Sequence, residues 1–134
     1  MIFIDTSTFI SVLANEPGRD WFLQAIDAAD TRITSPVVRL EACIVLSRRL
    51  DFSPQEAEMQ YNRFREAAKI AEVDMTSEIG VAAVACFSRF GKGRHPARLN
   101  FADCLSYACA RVHGATLLFK GDDFSKTDIN DRET

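Results

Sequence analysis

Four short stretches of this chain read as strands, and longer segments between them repeat apolar residues every three or four positions. The strand candidates are Met1 to Ile4, Thr31 to Ser35, Ile70 to Val73 and Thr116 to Phe119, each of a length suited to a buried strand. Thr6, Ser7 and Thr8 are placed to cap a helix carrying Phe9, Ile10, Val12 and Leu13, which Pro17-Gly18 then breaks. Phe22, Ala25, Ile26 and Ala29 give the next helical face, and Ser35-Pro36 starts a third helix with a cap and a proline at its first position. Ser53-Pro54-Gln55-Glu56 predicts a capping box with a Phe52–Ala57 staple, leading into Ala57, Tyr61, Phe64 and Ala68. A helix from about Ser77 carries Ile79, Ala83, Cys86, Phe87 and Phe90. After the irregular loop Gly91 to Pro96, Asn100 caps a last helix bearing Phe101, Leu105, Ala108, Cys109 and Val112 up to Gly114. From Gly121 the chain is a loop and polar tail. Strands alternating with helices predict an α/β fold with a parallel sheet covered on both faces.

At 134 residues and 47% hydrophobic content, the chain is expected to form one domain over residues 1–134. Cys43, Cys86, Cys104 and Cys109 show no CxxC spacing, and three lie in helical apolar patterns. They are expected to be buried thiols in a reducing compartment. No apolar stretch has the length of a membrane span, and the start lacks a basic region with a cleavage site. The expectation is a soluble, cytoplasmic protein.

Several carboxylates change this plain picture. Asp5 follows Met1-Ile2-Phe3-Ile4, Glu41 interrupts the apolar run from Val37 to Leu46, Asp103 opens a helix, and Asp122-Asp123 follow Leu117-Leu118-Phe119. In open α/β sheets ligands lie beyond the carboxyl ends of strands, where Asp5, Asp74 and Asp122 would all sit. Brought together without a partner, two such charges at roughly 5 Å cost about 3 kcal/mol at an effective dielectric near 20. They must therefore hold a cation or protons. Glu41 is the strongest single signal, because Val37, Val38, Ile44 and Val45 surround it at helical spacing and none can neutralise it. Its plainer account is an acid that reaches solvent or pairs with Arg39 or Arg48. The plainer accounts of the others are helix capping for Asp5, helix N-terminal charge for Asp103, and turn formation for Asp122 and Asp123.

Charge distribution adds a second element. Net charge is −3, yet no acid occurs between Glu78 and Asp103, where Arg89, Lys92, Arg94 and Arg98 fall within ten residues. His95 and His113 fit no Ser-His-Asp, Cys-His or HExxH order, and Gly91-Lys92-Gly93 lacks the surroundings of a phosphate-binding glycine motif. An all-carboxylate set favours Mg²⁺ or Mn²⁺ over zinc. Acids for such an ion and a basic strip for a phosphate backbone together point to a metal-dependent nuclease.

Four segments in order resemble a PIN domain of the VapC toxin type: Ile2-Phe3-Ile4-Asp5-Thr6-Ser7, Glu41 in the helix after Thr34-Ser35-Pro36, Asn100 to Ala108 around Asp103, and Leu117 to Phe124. The resemblance covers essentially the whole chain. It implies a three-layer α/β/α sandwich around a parallel sheet of four to five strands, and an Mg²⁺- or Mn²⁺-dependent endoribonuclease toxin. It also implies an RNA substrate, a cognate VapB-type antitoxin, a homodimer and no membrane. Carried over residue by residue, Asp5, Glu41 and Asp103 are the core acids, with Thr6 or Ser7 holding Asp5 and Asn100 supporting Asp103. Gly121 occupies the slot where the family places its fourth acid. Asp122 is preferred as the substitute for its nearness to the strand, with Asp123 close behind. Arg39, Lys92, Arg94 and Arg98 are candidate RNA contacts.

Two rival readings remain at this point. Asp5, Asp74 and Lys120 loosely imitate a receiver-type phosphoacceptor site, although Glu41 then has no role. A non-catalytic binding module would leave every acid as a cap or turn residue.

Overall fold

The computed structural model describes residues 1–131; the end of the polar tail, and with it the last residues of the expected 1–134 domain, lies outside them. The strands are β1 (Ile2–Ile4), β2 (Arg32–Thr34), β3 (Ala71–Glu72) and β4 (Thr116–Leu118). The helices are α1 (Thr6–Leu13), α2 (Arg19–Ala28), α3 (Pro36–Arg49), α4 (Pro54–Ala67), α5 (Ser77–Phe90) and α6 (Phe101–His113). The strands lie in the order β3-β2-β1-β4, and every neighbouring pair is parallel. This is a three-layer α/β/α arrangement, and its sheet has the lower of the two expected strand numbers.

Strand order makes the site. From β1 the chain steps to β2 and β3 on one side, and β4 then returns to the other side of β1. The strand order therefore reverses between β1 and β4, and a crevice opens beyond their carboxyl ends at such a switch point. Side chains tie those ends together: the Thr8 hydroxyl donates to Leu118 O at 2.9 Å, and the Thr34 hydroxyl to Ile4 O at 2.8 Å. Phe3, Ile4, Phe9, Leu46, Tyr61 and Leu117 fill the core beneath, which fixes the strand ends as a rigid platform.

Asp5 is the N-cap of α1, as its plainer account has it, and Thr6-Ser7-Thr8 form the first turn rather than the cap. Ser53 accepts from Glu56 N, but the reciprocal half of a capping box is absent among the described hydrogen bonds. Glu56 is exposed, so water competes for its carboxylate. The complete box forms at Asn100 and Asp103. The four cysteines are buried free thiols.

Candidate active site

Beyond the β1 and β4 ends lies a hollow of about 380 Å³, with Asp5, Thr6, Glu41 and Asp103 among its lining. Asp5 is 5% exposed. Its Oδ2 accepts from the Ser7 backbone N–H at 3.1 Å and from the Ser7 hydroxyl at 2.7 Å. Asp103 is held by the same kind of contact: its Oδ2 accepts from Asn100 N at 3.0 Å, while Asn100 Oδ1 accepts from Asp103 N at 2.9 Å. Each cap occupies one carboxylate oxygen. Among the described hydrogen bonds none reaches the second oxygen of either acid, so capping and ligand binding are compatible in the same side chain.

Glu41 enters from α3, and no cation among the described residues comes within ion-pair distance of Asp5, Glu41 or Asp103. The electrostatics follow. Burial, reinforced by the charges of Asp5, Glu41 and Asp123 and opposed by the Asn100 N–H, pushes the Asp103 carboxyl up to about 6. Burial also raises Glu41, against the nearby Thr6 hydroxyl and together with the charge of Asp5. That hydroxyl approaches Glu41 closely enough to favour its ionised form without a well-formed hydrogen bond: Thr6 Oγ1 is buried with no partner.

These residues fit a hard divalent cation. The donors are all oxygens, they bear like charges with which no described cation pairs, and an orphaned buried hydroxyl lies among them. Among the described residues, however, no three His, Cys, Asp or Glu side chains form a closed metal cage. The acids ring an open hollow instead.

The remaining sequence candidates are distributed unevenly. Asp122 and Asp123 are exposed and do not line the hollow. Of the two, Asp123 is the one whose charge contributes to raising Asp103. Gly121 has a φ of +104°, which strains any side chain there, and its turn leads into the 3₁₀ segment Phe124–Lys126, with Asp123 at the N-cap position but making no side-chain cap bond. Arg39 turns away from the acids. Its guanidinium bonds Glu72 at 2.8 Å, Glu58 at 3.1 Å and Asn62 at 2.8 Å. Lys92, Arg94 and Arg98 line a different hollow, together with His95 and Pro96. Asp74 is exposed after β3, two strands from β1, so the receiver-type constellation does not assemble.

Two lining residues, Glu16 and Arg49, have no part in the sequence expectations, and Lys120 has one only in the receiver-type reading. Arg49 was legible in principle: Glu41, Val45 and Arg49 are spaced four apart on one face of α3, and all three line the hollow. Glu16 sits in a loop and carries no periodic signal.

A sequence model of the PIN domain matches residues 2–130. The chain is 37% identical to VapC ribonuclease R02377 of Rhizobium meliloti, over 96% of this chain and 99% of that protein. It is 38% identical to Ribonuclease VapC30 of Mycobacterium tuberculosis, over 94% of each. Among solved structures it resembles VapC20 of M. tuberculosis, described as a sarcin–ricin loop cleaving toxin, with a TM-score of 0.73 and 22% identity over 93% of both chains. A toxin–antitoxin complex from Klebsiella pneumoniae matches with a TM-score of 0.68 and 19% identity, over 96% of this chain and 94% of that one. The chain belongs to the PIN domain family, in the branch of the VapC ribonucleases.

Proposed function

We propose that this protein is a divalent-metal-dependent endoribonuclease, the toxin of a VapBC-type pair, and that Asp5, Glu41 and Asp103 hold the ion. The observation that carries this reading is the unneutralised carboxylate set at the β1/β4 switch point, with Asp103 raised to about 6. Mg²⁺ or Mn²⁺, when bound, supplies Lewis acidity at a phosphodiester and eases deprotonation of the attacking water.

The chain's own residues do the rest. Ser7 fixes one oxygen of Asp5, and the Asn100 backbone fixes one of Asp103, so both acids meet a ligand in set orientations. Glu41, held above the ordinary carboxylate range by burial, is suited to take a proton from water near the phosphate. Asp123 is the preferred fourth acid because its charge acts on Asp103.

An RNA substrate and a VapB-type antitoxin are the partners this reading requires, and the relatives' names support both. A homodimer is supported by exposed apolar residues on α5 and α6, where Val81, Val84 and Phe101 are each at least 70% exposed. Among the described residues no helix is long and apolar enough to cross a membrane; a cytoplasmic location belongs to the toxin reading.

The test is cleavage of labelled cellular RNA by purified protein with Mg²⁺, with Mn²⁺, and with chelator. Cutting that needs the ion and disappears in Asp5→Asn is expected. Equal cutting by Asp5→Asn, or cutting in chelator, refutes the assignment.

A further inference from the structure

We infer that Arg49 and Lys120 form a clamp for the RNA phosphate backbone beside the acids, and that Glu16 is the residue that positions both. This inference rests on the ribonuclease reading of the same hollow. Its wall is of mixed sign: Glu16, Arg49 and Lys120 line the same space as Asp5, Glu41 and Asp103. Opposite charges in one hollow attract, yet neither cation pairs with those three acids. Glu16 holds both away. Its Oε2 accepts from Arg49 Nη1 at 2.7 Å, and its Oε1 lies 3.5 Å from Lys120 Nζ. Lys120 Nζ also donates to Pro17 O at 3.1 Å.

Two cations against one carboxylate leave one positive charge over. A purely structural pair would need no second cation. Both heads also stay accessible, with the Arg49 and Lys120 side chains 53% and 37% exposed, as a backbone contact requires.

The mounting is rigid on both sides. Asn15 adopts the left-handed region (φ 52°) that asparagine tolerates, and Glu16 N then bonds Ser11 O at 2.9 Å. Lys120 N donates to the Ser7 hydroxyl at 2.9 Å, and that hydroxyl donates to Asp5 Oδ2. One serine therefore sets both the acid and the backbone of the lysine. A polyanion laid across this hollow meets a guanidinium fork and an ammonium next to the carboxylates, which is the pairing phosphates select. Lys92, Arg94 and Arg98, in their separate hollow, do not offer it.

The experiment uses the full chain and a labelled single-stranded RNA oligonucleotide in chelator, so that binding is read without cleavage. Anisotropy is followed across a KCl series for wild type, Arg49→Gln, Lys120→Gln, Arg49→Lys and Glu16→Gln, with a thermal melt for each. Each cation-to-Gln change should weaken binding about threefold to tenfold and flatten the slope of log K against log salt by about 0.7. Arg49→Lys should recover the slope. Glu16→Gln frees both cations to fall on the acids, and should raise the Mn²⁺ concentration for half-maximal thermal stabilisation about threefold to tenfold.

Wild-type affinity and slope in both Gln variants overturn the clamp, whatever their melting temperatures, and leave the nuclease untouched. So does a loss confined to antitoxin binding, or a wild type that binds no RNA. If wild type cuts no RNA with any divalent ion while the slope still depends on Arg49 and Lys120, the clamp stands and the nuclease reading falls.

Discussion

Arg39 and Glu41 lie two residues apart on α3, roughly 200° around its axis, and they serve two opposite kinds of polar cluster. On the Arg39 side opposite charges are paired: one guanidinium meets both Glu72 and Glu58, Tyr61 donates to Glu72 at 2.9 Å, and Arg39 stacks over the Tyr61 ring at 4.9 Å. On the Glu41 side, Asp5 and Asp103 add the same sign, and no described cation pairs with any of the three. A self-satisfied network stabilises a fold. An unsatisfied one weakens it, and remains intelligible only if something outside the chain completes it.

The two clusters should therefore fail differently. The largest expected effect is on the Glu41 side: Asp5→Asn or Asp103→Asn should cut RNA cleavage by about 10³-fold or more, roughly 4 kcal/mol at the transition state, with far-ultraviolet circular dichroism unchanged. A loss below tenfold would remove these acids from the chemistry.

The paired cluster should show the converse. Arg39→Ala strips Glu72 and Tyr61 of their cation and should lower unfolding stability by about 2 kcal/mol, less than a fully buried pair because both charges are partly exposed. Urea denaturation measures it. Cleavage by the folded fraction should stay within about twofold, and a larger loss would return Arg39 to the RNA-contacting set.

Much of this was legible in advance, for physical reasons. Strand–helix alternation fixes the parallel sheet, because each apolar run must be covered. Asp5 and Glu41 stand out as charges in apolar surroundings, and that signal is local. Capping does not exclude ligand binding at Asp5 and Asp103, because each cap uses only one oxygen. Contacts between distant segments were not legible. Arg39 faces Glu72, 33 residues away, and Glu16 reaches both Arg49 and Lys120. Charge density alone favoured Lys92, Arg94 and Arg98, whereas tertiary folding gives them their own hollow.

The sign of the pH effect sharpens the comparison further. A carboxyl raised from 3.8 to about 6 on folding favours the native state most below the lower value, and that advantage is lost as pH rises through the upper one. Asp103→Asn should therefore stabilise the metal-free protein at pH 7.5 by about 1–2 kcal/mol, after allowing for solvent screening, and hardly at all near pH 4. Thermal melts in chelator at the two pH values test this, and equal shifts at both would contradict it.

The smallest effects separate the two candidate fourth acids. Asp123→Asn should slow cleavage about tenfold and Asp122→Asn less than threefold, measured on the same RNA. The reverse ranking would restore Asp122.

The central claim is that a divalent ion completes the acidic cluster, and anomalous scattering from a crystal soaked in Mn²⁺ tests it most directly. The account predicts a peak about 2.0–2.2 Å from carboxylate oxygens of Asp5 and Asp103, on the side opposite their capping bonds. A fully soaked crystal with no peak there, or with manganese held only by surface acids such as Asp74, would contradict it.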